Sequence, residues 1–485
     1  MVAADLVLKL DDTEDTPLFR QAYQQLREMI LRGQLTPGAR LPASRQLAQR
    51  SQVARVTIMQ AYEQLQAEGF VTSRRGAGTF VAKAIGDRQS GPSQVGFQPP
   101  LTEWGARVMA HQPATARNKM RPEIDFGFGR SFAHIFPYDI WRRLLARYLS
   151  TDDIMLSRYG SVAGFDPLRE AVAAYLDRQR GVRCSPNQVV IISGAQQALD
   201  ILARLLLAKG DEVLVETPGY SDAFTLFEVN GAKLVPLAVD HDGFPVEKIP
   251  ELCCARLAFV TPSHQFPRGG TLSLTRRLLL LEWAHKENAY IIEDDYDSEL
   301  RYDGRPLAAL QGLDEGDHVI YLGTFSKVLF PALRLGYVVL PPALLKPFFR
   351  AKGLVDRGAP TLTQAAVADF IADGHFERHL RRLRQAYGER RHALVKALDT
   401  YLSDRVSYSP DPAGLHVMLY LDPVCNESEI VKRAAAVGVG VYPGAPYHLQ
   451  EPAPPSILLG YSGLDVEQIT EGIRRLSAIM EDHFA

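Results

Sequence analysis

Residues 321–337 read YLGTFSKVLFPALRLGY, and this stretch decides the fold and the chemistry that we expect. An apolar run from Val319 to Leu322 is typical of a buried strand, and the small polar turn after it presents one amine, Lys327. A lysine at the edge of a buried sheet loses hydration, which lowers the pKa of such an amine and makes it a better nucleophile toward carbonyls. Three polar side chains nearby suit a phosphate group: Thr324, Ser326 and Arg334. Taken alone, the stretch supports two interpretations about equally. Lys327 binds an aldehyde cofactor with a phosphate arm, or it is a surface lysine in a polar loop.

From Ile124 onward, short apolar runs alternate with runs of helical period such as 195–208 and 275–288. The alternation predicts a largely parallel sheet covered on both faces, with ligands at the carboxyl ends of the strands. After Leu362 we expect helices to about Tyr401, then a smaller α+β lobe with strands near 405–409, 414–421 and 456–461 and a last helix from Asp465. The strands predicted for the main sheet are 189–192, 212–216, 234–239, 257–261, 290–293, 319–322 and 335–340.

Several of these strand ends carry groups that fit pyridoxal phosphate. The turn 193–197 opens a helix whose backbone amides and dipole suit a phosphate. Tyr220 could stack on an aromatic ring, Asp294 could keep a pyridine nitrogen protonated, and Tyr296 could donate to a ring oxygen. Taken singly, each has a plainer interpretation: a Gly/Ser-rich turn, a core tyrosine, or a solvated strand end or helix cap.

The N-terminal segment has a different pattern. Helices are predicted over 17–33, 44–50 and 54–68, and a hairpin over 70–81. Ser44 is the predicted cap of the second helix. Residues 20–83 hold ten basic and three acidic side chains, a net charge of +7, although the whole chain carries −2. Three helices and a basic hairpin predict a winged helix-turn-helix that binds DNA; a small helical domain with a solvated basic face is the alternative. The candidate DNA contacts are Arg45, Arg55 and Thr57 near the helix N-termini and Arg74, Arg75 and Gly76 at the hairpin tip.

Other features exclude some classes of protein. The four cysteines lack metal-ligand spacing, so we expect free thiols and no metal site. The first residues lack a basic segment followed by a long apolar run, and no run of about 18 apolar residues occurs. We therefore expect a cytoplasmic protein without a membrane span.

Both ends of the chain resemble known families. PGARLPASRQLA at 37–48 and AYEQLQAEGF at 61–70 are similar to the GntR family of bacterial regulators, over about 16–82. The motifs at the strand ends resemble fold-type I aminotransferases, over about 124–485. That resemblance implies that Lys327 holds the cofactor covalently, Asp294 pairs with the pyridine nitrogen, Tyr296 contacts the ring oxygen and Tyr220 stacks on the ring. It assigns the phosphate to Ala195, Gln196, Thr324 and Arg334.

The combination resembles the MocR subfamily of GntR-family regulators. TPSHQFP at 261–267 matches that subfamily, whereas aminotransferases carry an Asn-Pro pair there. His264 is thus a candidate neighbour of the cofactor ring, and a core or capping histidine is the equal alternative. Aminotransferases also grip the substrate carboxylate with an arginine in a late strand, which reads SILLGYS at 456–462 here.

We therefore expect a multidomain chain: an α+β winged helix-turn-helix at 16–83, a linker at 84–122 with one helical turn near 104–109, and an α/β aminotransferase-like domain at 123–485 whose small lobe begins at about 362. The resemblance implies a pyridoxal-phosphate-dependent transcriptional regulator that is a head-to-tail dimer on repeated operator half-sites and senses an amine, an amino acid or the cofactor itself. Its role as a regulator does not require turnover of a substrate, and retention of transaminase half-reactions is an open alternative. The alternatives are an active aminotransferase with a DNA-binding head and a scaffold that binds no cofactor.

Overall fold

The computed structural model describes residues 6–74, 76–83, 100–111, 122–130, 134–149, 157–251, 253–304, 307–409, 412–449 and 452–484. The chain divides into two compact units between Pro100 and Leu101, here called the head and the body. Over the described residues, no helix is long and apolar enough to cross a membrane.

The head confirms the predicted winged helix-turn-helix. Its core consists of apolar residues that recur at helical spacing, such as Leu26, Ile30, Ile58 and Leu65, all nearly inaccessible to solvent. The wing is an antiparallel hairpin in which Val71 pairs with Val81. The elements are α1 (Leu18–Leu31), α2 (Ser44–Arg50), α3 (Arg55–Ala67), β1 (Val71–Arg74) and β2 (Gly78–Val81).

The prediction that Ser44 caps α2 is wrong. Ala43 precedes the helix with an extended backbone (φ −59°, ψ 140°), and Ser44 is the first helical residue. A hydroxyl at that position lies one residue too late to accept from the free amides of the first turn. No side-chain cap forms on this described helix.

The main sheet of the body has the predicted, largely parallel architecture. Its strand order is β4-β10-β9-β8-β7-β5-β6, and β10 runs antiparallel to both of its neighbours. The strands are β4 (Val189–Ile192), β5 (Glu212–Thr217), β6 (Lys233–Ala238), β7 (Leu257–Val260), β8 (Tyr290–Asp295), β9 (Val319–Thr324) and β10 (Gly336–Val339); a short strand, β3 (Ile124–Asp125), lies outside this sheet.

Helices cover both faces of this sheet because its strands are apolar on both sides. Alternate residues of β4 show this: Val189 and Ile191 pack in one core with Leu176, and Val190 and Ile192 pack in another with Leu202. The helices of this part of the body are α4 (Glu103–Ala110), α5 (Tyr138–Leu149), α6 (Asp166–Arg180), α7 (Ala195–Leu206), α8 (Ser221–Val229), α9 (Leu274–Glu287), α10 (Pro342–Val355) and α11 (Thr361–Ala372).

The predicted C-terminal α+β elements are present. A four-stranded antiparallel sheet has the order β11-β12-β15-β14, and a two-stranded parallel pair joins β13 to β3. The elements are α12 (His375–Tyr401), β11 (Val406–Tyr408), β12 (His416–Leu421), α13 (Glu427–Ala436), β13 (Val439–Gly440), β14 (Tyr442–Pro443), β15 (Ser456–Gly460) and α14 (Val466–Phe484).

Part of the segment predicted as a linker is a docked helix. α4 has eight residues, more than the single turn expected, and the Thr102 hydroxyl caps it by accepting from the Gly105 amide. Arg107 Nε donates to the carbonyl of Val229 at the end of α8, at 2.8 Å. The linker residues 84–99 and 112–121 lie outside the described part of the chain.

Candidate functional site

A cavity of about 330 Å³ opens at the carboxyl ends of β8 and β9. Parallel strands place such crevices outside their carboxyl ends, where helix N-termini also point. The structure brings eight of the nine predicted cofactor residues into its lining: Ala195, Gln196, Tyr220, Asp294, Tyr296, Thr324, Lys327 and Arg334.

One end of the cavity suits a phosphate. α7 begins at Ala195 directly after Gly194, whose φ of +102° favours glycine. A Cβ at Gly194 would lie 3.0 Å from Arg334 Nη2, so glycine lets the guanidinium approach the helix N-terminus. The Ser326 hydroxyl is buried there without a hydrogen-bond partner among the described residues. A helix N-terminus, a guanidinium and an unsatisfied hydroxyl together fit a phosphate group.

Lys327 lines the cavity and lies three residues after the end of β9. Its Nζ is 4.1 Å from the centroid of the Phe128 ring, a cation–π contact. A Cβ at Gly129 would be only 3.2 Å from the same Nζ, so the loop that carries Phe128 passes close to the amine.

Strand alternation decides which of two adjacent acids faces the cavity. Asp294 lines it, whereas Asp295 points to the other face of β8 and pairs with Arg180 at 2.8 Å. Burial, followed by the charge of Asp295, raises the pKa of Asp294 from 3.8 to about 7, and the charge of Lys327 opposes this rise. A protonated ring nitrogen beside Asp294 would stabilise the ionised carboxylate, so the acid fits a pyridine ring.

Tyr296 is held from behind by a buried histidine. The Tyr296 hydroxyl is 3.1 Å from His264 Nδ1, which lies 2.9 Å from Asp297 Oδ2. Burial raises the pKa of Tyr296 well above its ordinary value. His264 is thus placed behind the cavity wall, whereas Thr261 and Phe266 of the same segment line the cavity.

Tyr220 closes another side of the cavity. Its hydroxyl accepts from Gln196 Nε2 at 3.0 Å and donates to Asp222 Oδ2 at 3.3 Å. The Tyr220 ring meets the Phe266 ring edge-on, with the centroids 5.9 Å apart. These contacts fix the orientation of the aromatic face that the sequence assigns to ring stacking.

Several residues of the lining were not predicted, and three of them carry aromatic or acidic side chains: Phe128, Asp222 and Phe266. Phe266 lies in the quoted segment 261–267, so the exchange of the usual Asn-Pro pair for Phe-Pro was the available signal. Asp222 lies two residues after Tyr220, in the first turn of α8. Phe128 follows β3 in a loop without a local motif, and the fold alone brings it to Lys327.

In the head, five of the six predicted DNA contacts are described. Arg45, Arg55 and Arg74 are exposed, and Arg55 is the first residue of α3. Gly76, at the wing tip, has a φ of +78° and open space around it. Thr57 is buried, at 9% exposure, so its side chain is not on the exposed face. The sixth predicted contact, Arg75, lies outside the described residues.

A winged helix-turn-helix head and a cavity of this kind define a DNA-binding regulator with an aminotransferase-like body. The family model for aminotransferase class I and II matches residues 133–476, and that for bacterial regulatory proteins of the gntR family matches residues 18–81. The chain belongs to the MocR subfamily of GntR-family transcriptional regulators.

Two regulators and one enzyme illustrate the relationship. The probable rhizopine catabolism regulatory protein MocR of Rhizobium meliloti is 40% identical over 473 residues, 97% of this chain and 95% of that protein. The pyridoxine biosynthesis transcriptional regulator PdxR of Corynebacterium glutamicum is 30% identical over 96% of each chain. The α-aminoadipate aminotransferase LysN of Thermus thermophilus, solved with N-(5'-phosphopyridoxyl)-L-leucine, is similar with a TM-score of 0.73 and 30% identity, over 78% of this chain and 97% of LysN.

Proposed function

We propose that the body binds pyridoxal phosphate at Lys327 and that occupancy of this site controls binding of operator DNA by the head. The observation that carries the proposal is one cavity that contains an amine, a buried acid and, at one end, groups that suit a phosphate. Bound pyridoxal phosphate supplies an aldehyde carbon that reacts reversibly with primary amines.

Each part of the cavity has a role in holding that group. Lys327 attaches it, Asp294 keeps the proton on its ring nitrogen, Tyr296 donates to its ring oxygen, and Tyr220 stacks on its ring. The phosphate is bound by Ala195 and Gln196 at the start of α7, by Thr324 and by Arg334. His264 contacts the ring only through Tyr296, which it orients from behind.

An amine or amino-acid effector, or the cofactor itself, then shifts the body between two arrangements. A ligand changes such an equilibrium only by its different affinity for the two states. α8 is a candidate route, because its first turn carries Asp222 at the cavity and its end binds Arg107 of α4. α4 is the first helix of the body, after the segment that follows the head in sequence.

The regulator acts as a head-to-tail homodimer in the cytoplasm. Two heads require two half-sites of operator DNA, with a spacing that the dimer sets. By function, the proposed division is a DNA-binding domain at 16–83 within the head, a connecting segment at 84–122 whose α4 belongs to the body, and a cofactor-binding domain at 123–485.

A second candidate function is turnover as an aminotransferase, because Lys327, Asp294 and Tyr296 all line one cavity. Two departures from the enzymes disfavour it: the late strand at 456–462 has no arginine, and the segment 261–267 has Phe-Pro instead of the usual Asn-Pro pair. Sustained multiple turnover of amino and keto acids at enzyme-like rates would favour the enzyme over the regulator.

The visible spectrum of the purified protein tests cofactor binding at Lys327. We expect an absorbance band that vanishes in Lys327→Ala. The band should persist in the control Lys209→Ala, because Lys209 is an exposed lysine that pairs with Glu103. Candidate amines are then titrated against this band while operator binding is followed in parallel. A wild-type protein without the band would support a scaffold that binds no cofactor.

A further inference from the structure

The part of the cavity that the proposed cofactor contacts leave unused is aromatic and acidic. Phe128 and Phe266 stand side by side there, with ring centroids 5.1 Å apart. Asp222 lines the same cavity, and its side chain accepts one hydrogen bond from the described residues, from the Tyr220 hydroxyl. It makes no ion pair with any residue that the structure describes. An effector attached next to Lys327 would therefore meet two aromatic faces and an uncompensated carboxylate.

The same region lacks the group that would grip a carboxylate. Leu458 of β15 pairs with Met418 of β12, and both are buried against Phe266. Arg334 is the one arginine among the described lining residues, and it lies at the phosphate end beside Gly194. A carboxylate in front of Phe266 would lose its hydration without gaining a cation.

Two further arginines near these strands are already engaged. Arg130 follows the loop of Phe128 and pairs with Asp125. Arg268 follows the segment of Phe266 and donates from Nη1 to the carbonyl of Val239 at 2.8 Å. Neither belongs to the described lining of the cavity.

We propose that the effector is an amine that carries a second cationic group and no carboxylate. Asp222 and the ring faces of Phe128 and Phe266 bind that second cation, since carboxylates pair with ammonium groups and aromatic faces attract them. The inference rests on the proposed function, because the first amine reacts at the cofactor site of Lys327. It goes further by giving the chemical class of the effector.

Three probes of equal chain length test the proposal on the cofactor-loaded full chain: 1,5-diaminopentane, pentylamine and 5-aminopentanoate. Each is titrated against the visible absorbance of the bound cofactor. We expect the diamine to half-saturate the change at a concentration about tenfold below that of either other probe. Equal or better binding of 5-aminopentanoate would overturn the proposal.

Substitution of Asp222 shows whether this residue recognises the second cation. Asp222→Asn should abolish the preference for the diamine over pentylamine, and Asp222→Glu should retain part of it. A preference that survives in Asp222→Asn would overturn the role of Asp222. If all three amines act on the spectrum, the cofactor site stands whatever their order; if the loaded wild type has no visible band, the proposed function fails and the inference fails with it.

Discussion

Replacing Asp294 with asparagine should stabilise the cofactor-free protein at pH 8 and weaken its binding of the cofactor. Asp294 is buried, and its pKa rises from 3.8 to about 7, first because of burial and second because of the charge of Asp295. At pH 8 the carboxylate is therefore charged in a place that disfavours charge. Asparagine keeps the shape without the charge.

The sign and size follow from the two pKa values. A carboxyl with a higher pKa in the folded chain than in the unfolded chain binds its proton more tightly when folded. Its contribution to stability is therefore lost as the pH rises from about 4 to about 7. That pKa difference is worth about 4 kcal/mol at most at pH 8, and water that enters the cavity reduces it. Below pH 4 the variant and the wild type should be equally stable.

Urea unfolding of the cofactor-free protein, followed by a signal from the body, gives the free energy of unfolding of both proteins between pH 5 and pH 8. Glu216, Glu293 and Glu299 also have pKa values raised to about 7 by burial, but they are present in both proteins, so the difference reports the charge of Asp294 together with its repulsion by neighbours such as Glu216. Asp139→Asn, at an exposed acid, is the matched control and should follow the wild type. The reasoning is refuted if Asp294→Asn is no more stable than the wild type at pH 8, or if the gap does not grow with pH.

The same substitution should weaken binding of pyridoxal phosphate roughly 10- to 100-fold, because it removes one charge-assisted hydrogen bond. Titration followed by visible absorbance measures this change. Greater stability together with weaker cofactor binding is the combination expected for an acid retained for its site rather than for the fold.

Three further substitutions test other parts of the account. Arg55→Ala should weaken specific operator binding by about 1–3 kcal/mol in fluorescence anisotropy, with Arg20→Ala in α1 as the exposed control; an unchanged affinity would place the base contact elsewhere. His264→Gln should loosen Tyr296 and raise by about one unit the pH at which the visible absorbance band of the bound cofactor is half-converted. An unchanged pH of half-conversion would show that His264 only packs behind Tyr296. Arg107→Ala should reduce the effect of an amine on operator affinity roughly fivefold while the amine still changes the spectrum; full retention of that effect would exclude α8 and α4 as the route.

The sheet and most of the site could be predicted because their signals are local. Strands buried on both faces are continuous apolar runs, and the residues that follow them reach the same edge of the sheet. Lys327 and Asp294 were therefore predicted from their positions after or at the end of such runs. The resemblance singled out Asp294 from its neighbour Asp295, and the alternation of β8 gives the physical reason, because Asp294 lines the cavity and Asp295 pairs with Arg180.

The remaining features depend on contacts between distant parts of the chain. Phe128 reaches Lys327 because β3 pairs with β13. Strands of two residues are too short for a sequence pattern to predict this pairing. His264 is two residues from Phe266, yet the turn points it behind Tyr296. The docking of α4 on α8 likewise depends on a tertiary contact, that of Arg107 with Val229. The sequence of α4 alone therefore predicted only one helical turn.

The most direct test of the central claim compares operator binding by the wild type and by Lys327→Ala, first without additions, then with pyridoxal phosphate, then with an amine. The account predicts equal basal affinity, because the head is a separate compact unit. It also predicts that the amine changes the affinity of the wild type alone, in step with the visible spectrum. An equal response of Lys327→Ala to the amine would contradict the claim that Lys327 links the effector to the DNA.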